Sequence, residues 1–168
     1  MTDNSSLDEI TARIAASHDS IRALHEYWRR KAGDLRMPRR ADIDPAEIKA
    51  FLPAIILVDV VADERRFVYR LVGTAEVAER GYDPTGKAVA DGYYGGSAED
   101  ALASYQYPVD HRAPYCFREP FAGPDGRIET EDIIYLPLSE DGEAVNMILV
   151  YTHNYAFRPR IDATSLLR

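Results

Sequence analysis

The sequence is poor in cysteine, with Cys116 alone among 168 residues. A single thiol excludes an internal disulfide and any zinc cage built on cysteines. Long apolar runs are also missing, and nothing approaches the ~20 residues needed to span a bilayer, so no membrane partner is expected. Basic charge is in deficit: 20 Lys and Arg stand against 28 Asp and Glu, a formal charge of −8. A chain this acidic is repelled by phosphate backbones, which speaks against nucleic acid as the main partner. There is no internal repeat, low-complexity tract or Gly/Ser linker. The start, residues 1–8, is polar and acidic and does not read as a signal peptide. What remains is a cytoplasmic chain of single-domain size, in which 46% hydrophobic and 29% charged residues match an ordinary globular protein.

Residues 7–31 read as one long helix. Leu7, Ile14, Ile21 and Trp28 are seven apart, and Ile10 and Leu24 fill intervening positions, so the apolar side chains form a narrow seam that only Ser17 breaks. Such a helix covers part of the core, pairs with its copy in a homodimer, or does both. Residues 1–35 are thus an N-terminal helix and possible dimerisation element, 36–157 the main domain and 158–168 a tail. Asp44, Pro45 and Glu47 sign the start of a short helix stopped by Pro53, with Ile43 and Ile48 at the spacing of a hydrophobic staple. Two strands follow, at 54–61 and 67–73, then a helix over 75–80 that Thr74 caps and Gly81 ends. Residues 82–96 are rich in turns. Ser97 and Asp100 open a further helix, which Pro108 ends or kinks. The rest is a meander of strands at 115–122, 128–138 and 144–153, joined by turns containing Asp125-Gly126 and Asp141-Gly142. Five mainly antiparallel strands with helices on one face and a helix at the N-terminus make an α+β domain.

That order, together with several local patterns, resembles a PAS domain. The pieces that carry the resemblance are Tyr27-Trp28, the run from Pro38 through Arg39 and Arg40 to Pro45, Tyr69-Arg70-Leu71-Val72-Gly73-Thr74, Gly81-Tyr82 with Gly86 beyond it, and Leu136-Pro137-Leu138. Together they cover about residues 24–153 and look like a proteobacterial single-PAS subfamily. The resemblance implies a five-stranded antiparallel sheet, an internal cavity for a small-molecule ligand, and signalling through a protein partner.

The remaining motifs point to little chemistry. Gly81 to Lys87 matches a phosphate loop up to its last position, where Ala88 stands in place of the magnesium-binding hydroxyl. Its glycines read as backbone turns. His18 and His25 are seven apart, not the i, i+4 spacing of a metal pair, and read as solvated or interface residues. His111 reads as a loop histidine, and haem through it is the weaker reading. Cys116 reads as a small packed hydrophobe. The flavin photosensors of the PAS family carry a reactive Asn-Cys-Arg-Phe after the glycine equivalent to Gly86. Here Lys87-Ala88-Val89-Ala90 stand there, so covalent flavin is not expected. Glu129, Glu131 and Asp132 form the densest acidic cluster and read as a solvated strand edge, with Asp132 on the face opposite the other two.

Both faces of the first strand are apolar, so the resemblance must set the parity. It turns Asp59 away from the cavity and therefore Ile56 and Val58 toward it. The same pattern places Tyr69 and Leu71, Glu131, Ile133 and Tyr135, and Ile148, Val150 and Thr152 as ligand-binding positions. Ile55, Leu57, Ile134, Leu136, Met147 and Leu149 fall on the second face, which the N-terminal helix must cover. The favoured reading is a non-enzymatic sensory or regulatory domain. Two alternatives stand beside it: a small enzyme using Glu131 and Tyr135 as acid and base, and a scaffold whose cavity is filled by its own side chains.

Overall fold

The computed structural model describes residues 4–122 and 125–156. In chain order it contains α1 (Leu7–Ala16), α2 (Asp19–Ala32), β1 (Ile55–Val60), β2 (Phe67–Val72), α3 (Thr74–Arg80), α4 (Val89–Gly92), α5 (Ala98–His111), β3 (Tyr115–Ala122), β4 (Ile128–Leu138) and β5 (Met147–Asn154). The five strands form one antiparallel sheet in the order β2-β1-β5-β4-β3. The expected α+β class and five-stranded sheet are therefore observed. The bounds of β3 and β4 coincide with those read from the sequence, and the expected tail, 158–168, lies outside the described residues.

Alternation along β4 sorts the sheet into two faces. Asp132, Ile134 and Leu136 look toward α1 and α2, while Glu131, Ile133 and Tyr135 look toward α3 and α5. The first assignment follows from the His18 backbone N–H, at the α1–α2 junction, which donates to Asp132 Oδ2 at 2.7 Å. Because directly opposed residues share a face, the register carries the same division across β3, β5 and β1.

β2 departs from the expected parity. Tyr69 opposes Val58 but Leu71 opposes Leu57, so Arg70 is an extra residue in a β-bulge. One inserted residue reverses every later side chain. Leu71 consequently turns away from the cavity face and is 45% exposed, which corrects its expected place in the pocket. Val72 takes the cavity-side position opposite Ile56. Arg70 points out and donates to Asp59 across the strand pair.

The single N-terminal helix is also corrected. Ser17 is extended and ends α1, and His18 caps α2 by accepting the Ser20 N–H on its ring. The Ser17 hydroxyl donates back to the Arg13 carbonyl and meets the Cys116 thiol at 3.4 Å. The one polar position in the seam is thus the point where the helix breaks. The break lets both helices lie on the sheet. Ile10, Ile14, Ile21, Leu24 and Trp28 are all buried within the chain's own core, and only Leu7 of the seam stays exposed. Trp28 Nε1 donates to the Pro137 carbonyl at 2.9 Å, pinning α2 to β4. The apolar seam expected to pair with a second copy is occupied by this sheet.

Between α2 and β1 the chain forms turns and two short 3-10 segments, Arg40–Asp42 and Leu52–Ala54, rather than the capped helix read at Asp44. Asp44 closes a local turn onto Ala46 N–H. Glu47 does not complete a capping box; it accepts the Tyr27 hydroxyl at 2.7 Å and pairs with Lys31. Ile43 and Ile48 are buried as the staple pattern expects. The segment passes so close to the start of α3 that a Cβ on Gly73 would stand 2.4 Å from the Pro53 carbonyl oxygen. Only glycine fits there.

Candidate functional site

A cleft of about 550 Å³ opens between the cavity face of the sheet and the helices α3 and α5. Its floor is Ile56 from β1, Glu131, Ile133 and Tyr135 from β4, and Val150 and Thr152 from β5. These are six of the ten expected positions. Val58 and Ile148 share that face but are fully buried beside it. Tyr69 lies on the same face, buried beneath Arg80, and Leu71 is on the other side. No group of three or more His, Cys, Asp or Glu side chains able to hold a metal occurs among the described residues.

The walls were not legible from strand parity. Glu76, Glu79 and Arg80 come from α3, Tyr94 from the loop between α4 and α5, Asp100, Ser104 and Tyr105 from α5, and Phe117, Glu119 and Phe121 from β3. The β3 set alternates, and counting back across the Asp125-Gly126 turn would have aligned Glu119 with Glu131 and Phe117 with Ile133, as observed. The helical contributions carry no such signal. α3 is positioned by Gly81, which ends it at φ +79. α5 is positioned by the Ser97 hydroxyl, which accepts Asp100 N–H. Pro108 lies inside α5, which continues to His111. His111 is therefore the last helical residue, with its ring stacked on Tyr107 at 3.9 Å, and not a loop residue.

Aromatic rings in and beside the cleft pack edge to face and stacked: Tyr105 meets Tyr135 at 5.1 Å, and behind them Tyr115 meets Tyr107 at 4.6 Å. Burial pushes the Tyr105 and Tyr135 hydroxyls far above the usual tyrosine range, and the Ser104 hydroxyl offsets this only in part at Tyr135. Arg80 donates to the Gly92 carbonyl at 2.9 Å and lies over the Tyr69 ring. Burial opposes its charge, but Tyr69 and Glu76 outweigh that and hold it protonated. Burial, reinforced by the Asp100 charge, raises the Glu119 carboxyl, while a hydrogen bond with Glu131 acts the other way.

Two acidic residues read as a solvated edge prove otherwise. Glu131 is 8% exposed in the cleft, and Asp132 is fully buried on the opposite face. Burial tends to raise the Asp132 carboxyl, yet hydrogen bonds from Arg118, His18 N–H and Tyr155 prevail and hold it below the usual carboxylate range. His18 stacks on His153 at 3.5 Å beside this group instead of facing solvent. His25 is half-buried near Trp28, and burial lowers its basicity. Tyr82 is 42% exposed. Cys116 is buried and its thiol is pushed up to about 11 by burial, an unreactive state. Gly81 and Gly86 both have positive φ, and Gly86 N–H bonds to the Tyr69 carbonyl, so the loop between them is a backbone turn held to β2.

With this architecture in view, the sequence profile of the PAS domain family matches residues 16–151. The chain belongs to that family, whose members are generally sensory or signalling modules. No curated protein matches it. Among solved structures, it is similar to the Vibrio cholerae VqmA dimer, at 11% identity over 68% of this chain and 52% of that one, with a TM-score of 0.51. It is also similar to the PAS domain of Bordetella pertussis BvgS, at 15% identity over 69% and 90%, with a TM-score of 0.49. The Rhodobacter sphaeroides LOV protein shares 12% identity over 68% and 70%, with a TM-score of 0.47. At these identities the likeness concerns the fold alone. No helix among the described residues is long and apolar enough to cross a membrane.

Proposed function

We propose that this chain is a sensory or regulatory domain that holds a small ligand in the cleft and passes its state to a protein partner. The observation that carries the reading is the cleft itself, a concavity floored by Ile56, Ile133 and Val150 into which Glu131, Tyr135 and Thr152 converge. An apolar floor with a few directed polar groups is what small-molecule sites present. A route outward follows from alternation. Glu131 and Ile133 face the cleft while Asp132 between them holds the α1–α2 junction, so a shift of β4 is felt by both. Burial holds the Tyr135 hydroxyl above the usual tyrosine range, which favours a hydrogen-bonding role for it in the cleft.

The test compares native and denatured masses of the purified protein, with Ile133→Trp alongside. The expected result is a small molecule retained by the native wild type and lost from the variant, whose melting temperature barely moves because the indole fills open space. A variant that keeps the ligand and loses ~1–3 kcal/mol of stability, the cost of overpacking a filled core, would sink the proposal.

A further inference from the structure

Arg80 lines the cleft, and its guanidinium is only partly committed. Both of its hydrogen bonds leave from Nη1, one to the Gly92 carbonyl at 2.9 Å and a long one to the Tyr69 hydroxyl at 3.5 Å. The Nε–H has no partner among the described residues and is closed off from solvent. A guanidinium presents Nε–H and one Nη2–H side by side along one edge, a fork that suits oxygen acceptors. A donor on a charged group is costly to leave dry and unmet, and buried polar groups are nearly always satisfied. The Arg80 edge thus asks for an acceptor that the described residues do not supply.

The group is held in place from several sides. A Cβ on Gly92 would stand 3.1 Å from Tyr69 Cε2, so the glycine is what lets its own carbonyl come up to Nη1. The guanidinium carbon lies 5.3 Å from the centre of the Tyr69 ring and 5.5 Å from that of Tyr94, as cations lie against ring faces. The two rings differ in freedom. Tyr69 is 2% exposed within β2, whereas Tyr94 is 39% exposed. Tyr94 also sits in the loop between α4 and α5, next to Gly95 and Gly96 at positive φ.

We propose that Arg80 is the polar anchor for the ligand of the cleft, an aromatic compound whose carbonyl oxygen displaces the Tyr94 ring and accepts from Arg80 Nε–H. The inference rests on the cleft being a ligand site and adds the group the ligand must carry and the residue that reads it. Amides and carboxylates share this oxygen, and a carboxylate engages the Nη2–H as well. The aromatic body is matched to Tyr105, Phe117 and Phe121, whose rings line the same space. Nη1 keeps its bond to Gly92, so the guanidinium need not leave its seat; the cover moves and the anchor stays.

The experiment is titration calorimetry on the full chain with phenylacetamide, phenylacetate and phenethylamine, which share a body while the last lacks an acceptor. The expected result is that the amide or the carboxylate binds at least about tenfold more tightly than the amine. Arg80→Lys keeps the positive charge and removes the fork. It should weaken the acceptor probe by about the same factor, with unchanged Trp28 fluorescence reporting an intact fold. A second readout needs no variant: the Arg80 Nε–H proton resonance of the wild type should move downfield when the acceptor probe binds. An amine that binds as tightly as the acceptor probes, an Nε–H resonance unmoved in the complex, or a folded Arg80→Lys protein of undiminished affinity overturns the anchor while leaving the cleft a ligand site. Absence of binding by both acceptor probes at millimolar concentration also overturns it, and the native mass then decides separately whether the cleft holds any ligand.

Discussion

At the scale of single residues, Asp132 is the most heavily committed group. Its buried carboxylate accepts Arg118 Nε at 2.6 Å and Nη2 at 3.1 Å, His18 N–H at 2.7 Å and the Tyr155 hydroxyl at 2.8 Å. Asp132→Asn keeps the shape and removes the charge that four donor groups from three residues were arranged to meet. We expect it to lower the unfolding free energy by roughly 2–3 kcal/mol, the worth of hydrogen bonds to a charged group, measured by urea titration. The pH dependence has a definite sign. The folded carboxyl is held below its ordinary value, so its stabilisation is complete above the unfolded value of about 4 and is lost as pH falls through that value toward the folded one. Wild type should therefore lose stability in that acid window more steeply than Asp132→Asn, and parallel curves for the two proteins would contradict the assignment.

At the scale of elements, legibility followed the kind of signal each element carries. β3 and β4 were bounded by Asp-Gly turns and by alternation, which are local, and their limits were readable. The cleft positions on β4 and β5 followed from the same alternation once Asp59 set the parity. Leu71 did not, because a bulge is one residue of register and leaves no mark in the hydrophobic pattern: Phe67 through Val72 are apolar on both sides of Arg70. The N-terminal helix failed for a related reason. A seam of period seven is indifferent to whether its partner is another helix or a sheet, and Ser17 looked like a flaw in one helix when it is the joint between two. The walls from α3 and α5 depend on how helices dock, which spacing along the chain does not encode. Gly73 belongs to the same scale, since its constraint comes from a carbonyl twenty residues away along the chain. Gly73→Ala must push α3 off the Leu52–Ala54 turn. Calorimetry should show a loss of several degrees in melting temperature, on the order of 2–3 kcal/mol for backbone overpacking.

At the scale of the molecule, the sheet has two working faces, one holding the cleft and the other clad by α1 and α2. The cladding consumes the apolar seam, so Ile21, fully buried, cannot also serve a second copy. Ile21→Asp is therefore expected to unfold the protein, with a large drop in melting temperature preceding any change in sedimentation. A folded Ile21→Asp variant of altered mass would show that the seam faces a partner after all. Whatever surface a second copy uses, the seam at Ile10, Ile14 and Ile21 is not free for it.

The knot of groups around Asp132 joins distant parts of the chain: His18 and Asp132 are 114 residues apart in sequence, and the His18 ring meets Tyr155 edge-on at 5.6 Å. Closing so long a loop carries an entropic cost before any contact rewards it, so the clasp is expected to shut late, after the hairpins of β3, β4 and β5 have formed. Interactions absent from the folding transition state act on escape from the native state. In stopped-flow experiments Asp132→Asn should accelerate unfolding by nearly the whole of its stability loss and leave the refolding rate close to that of wild type. The clasp would then act as a brake on opening, setting how long the domain stays closed and leaving the speed of its assembly unchanged.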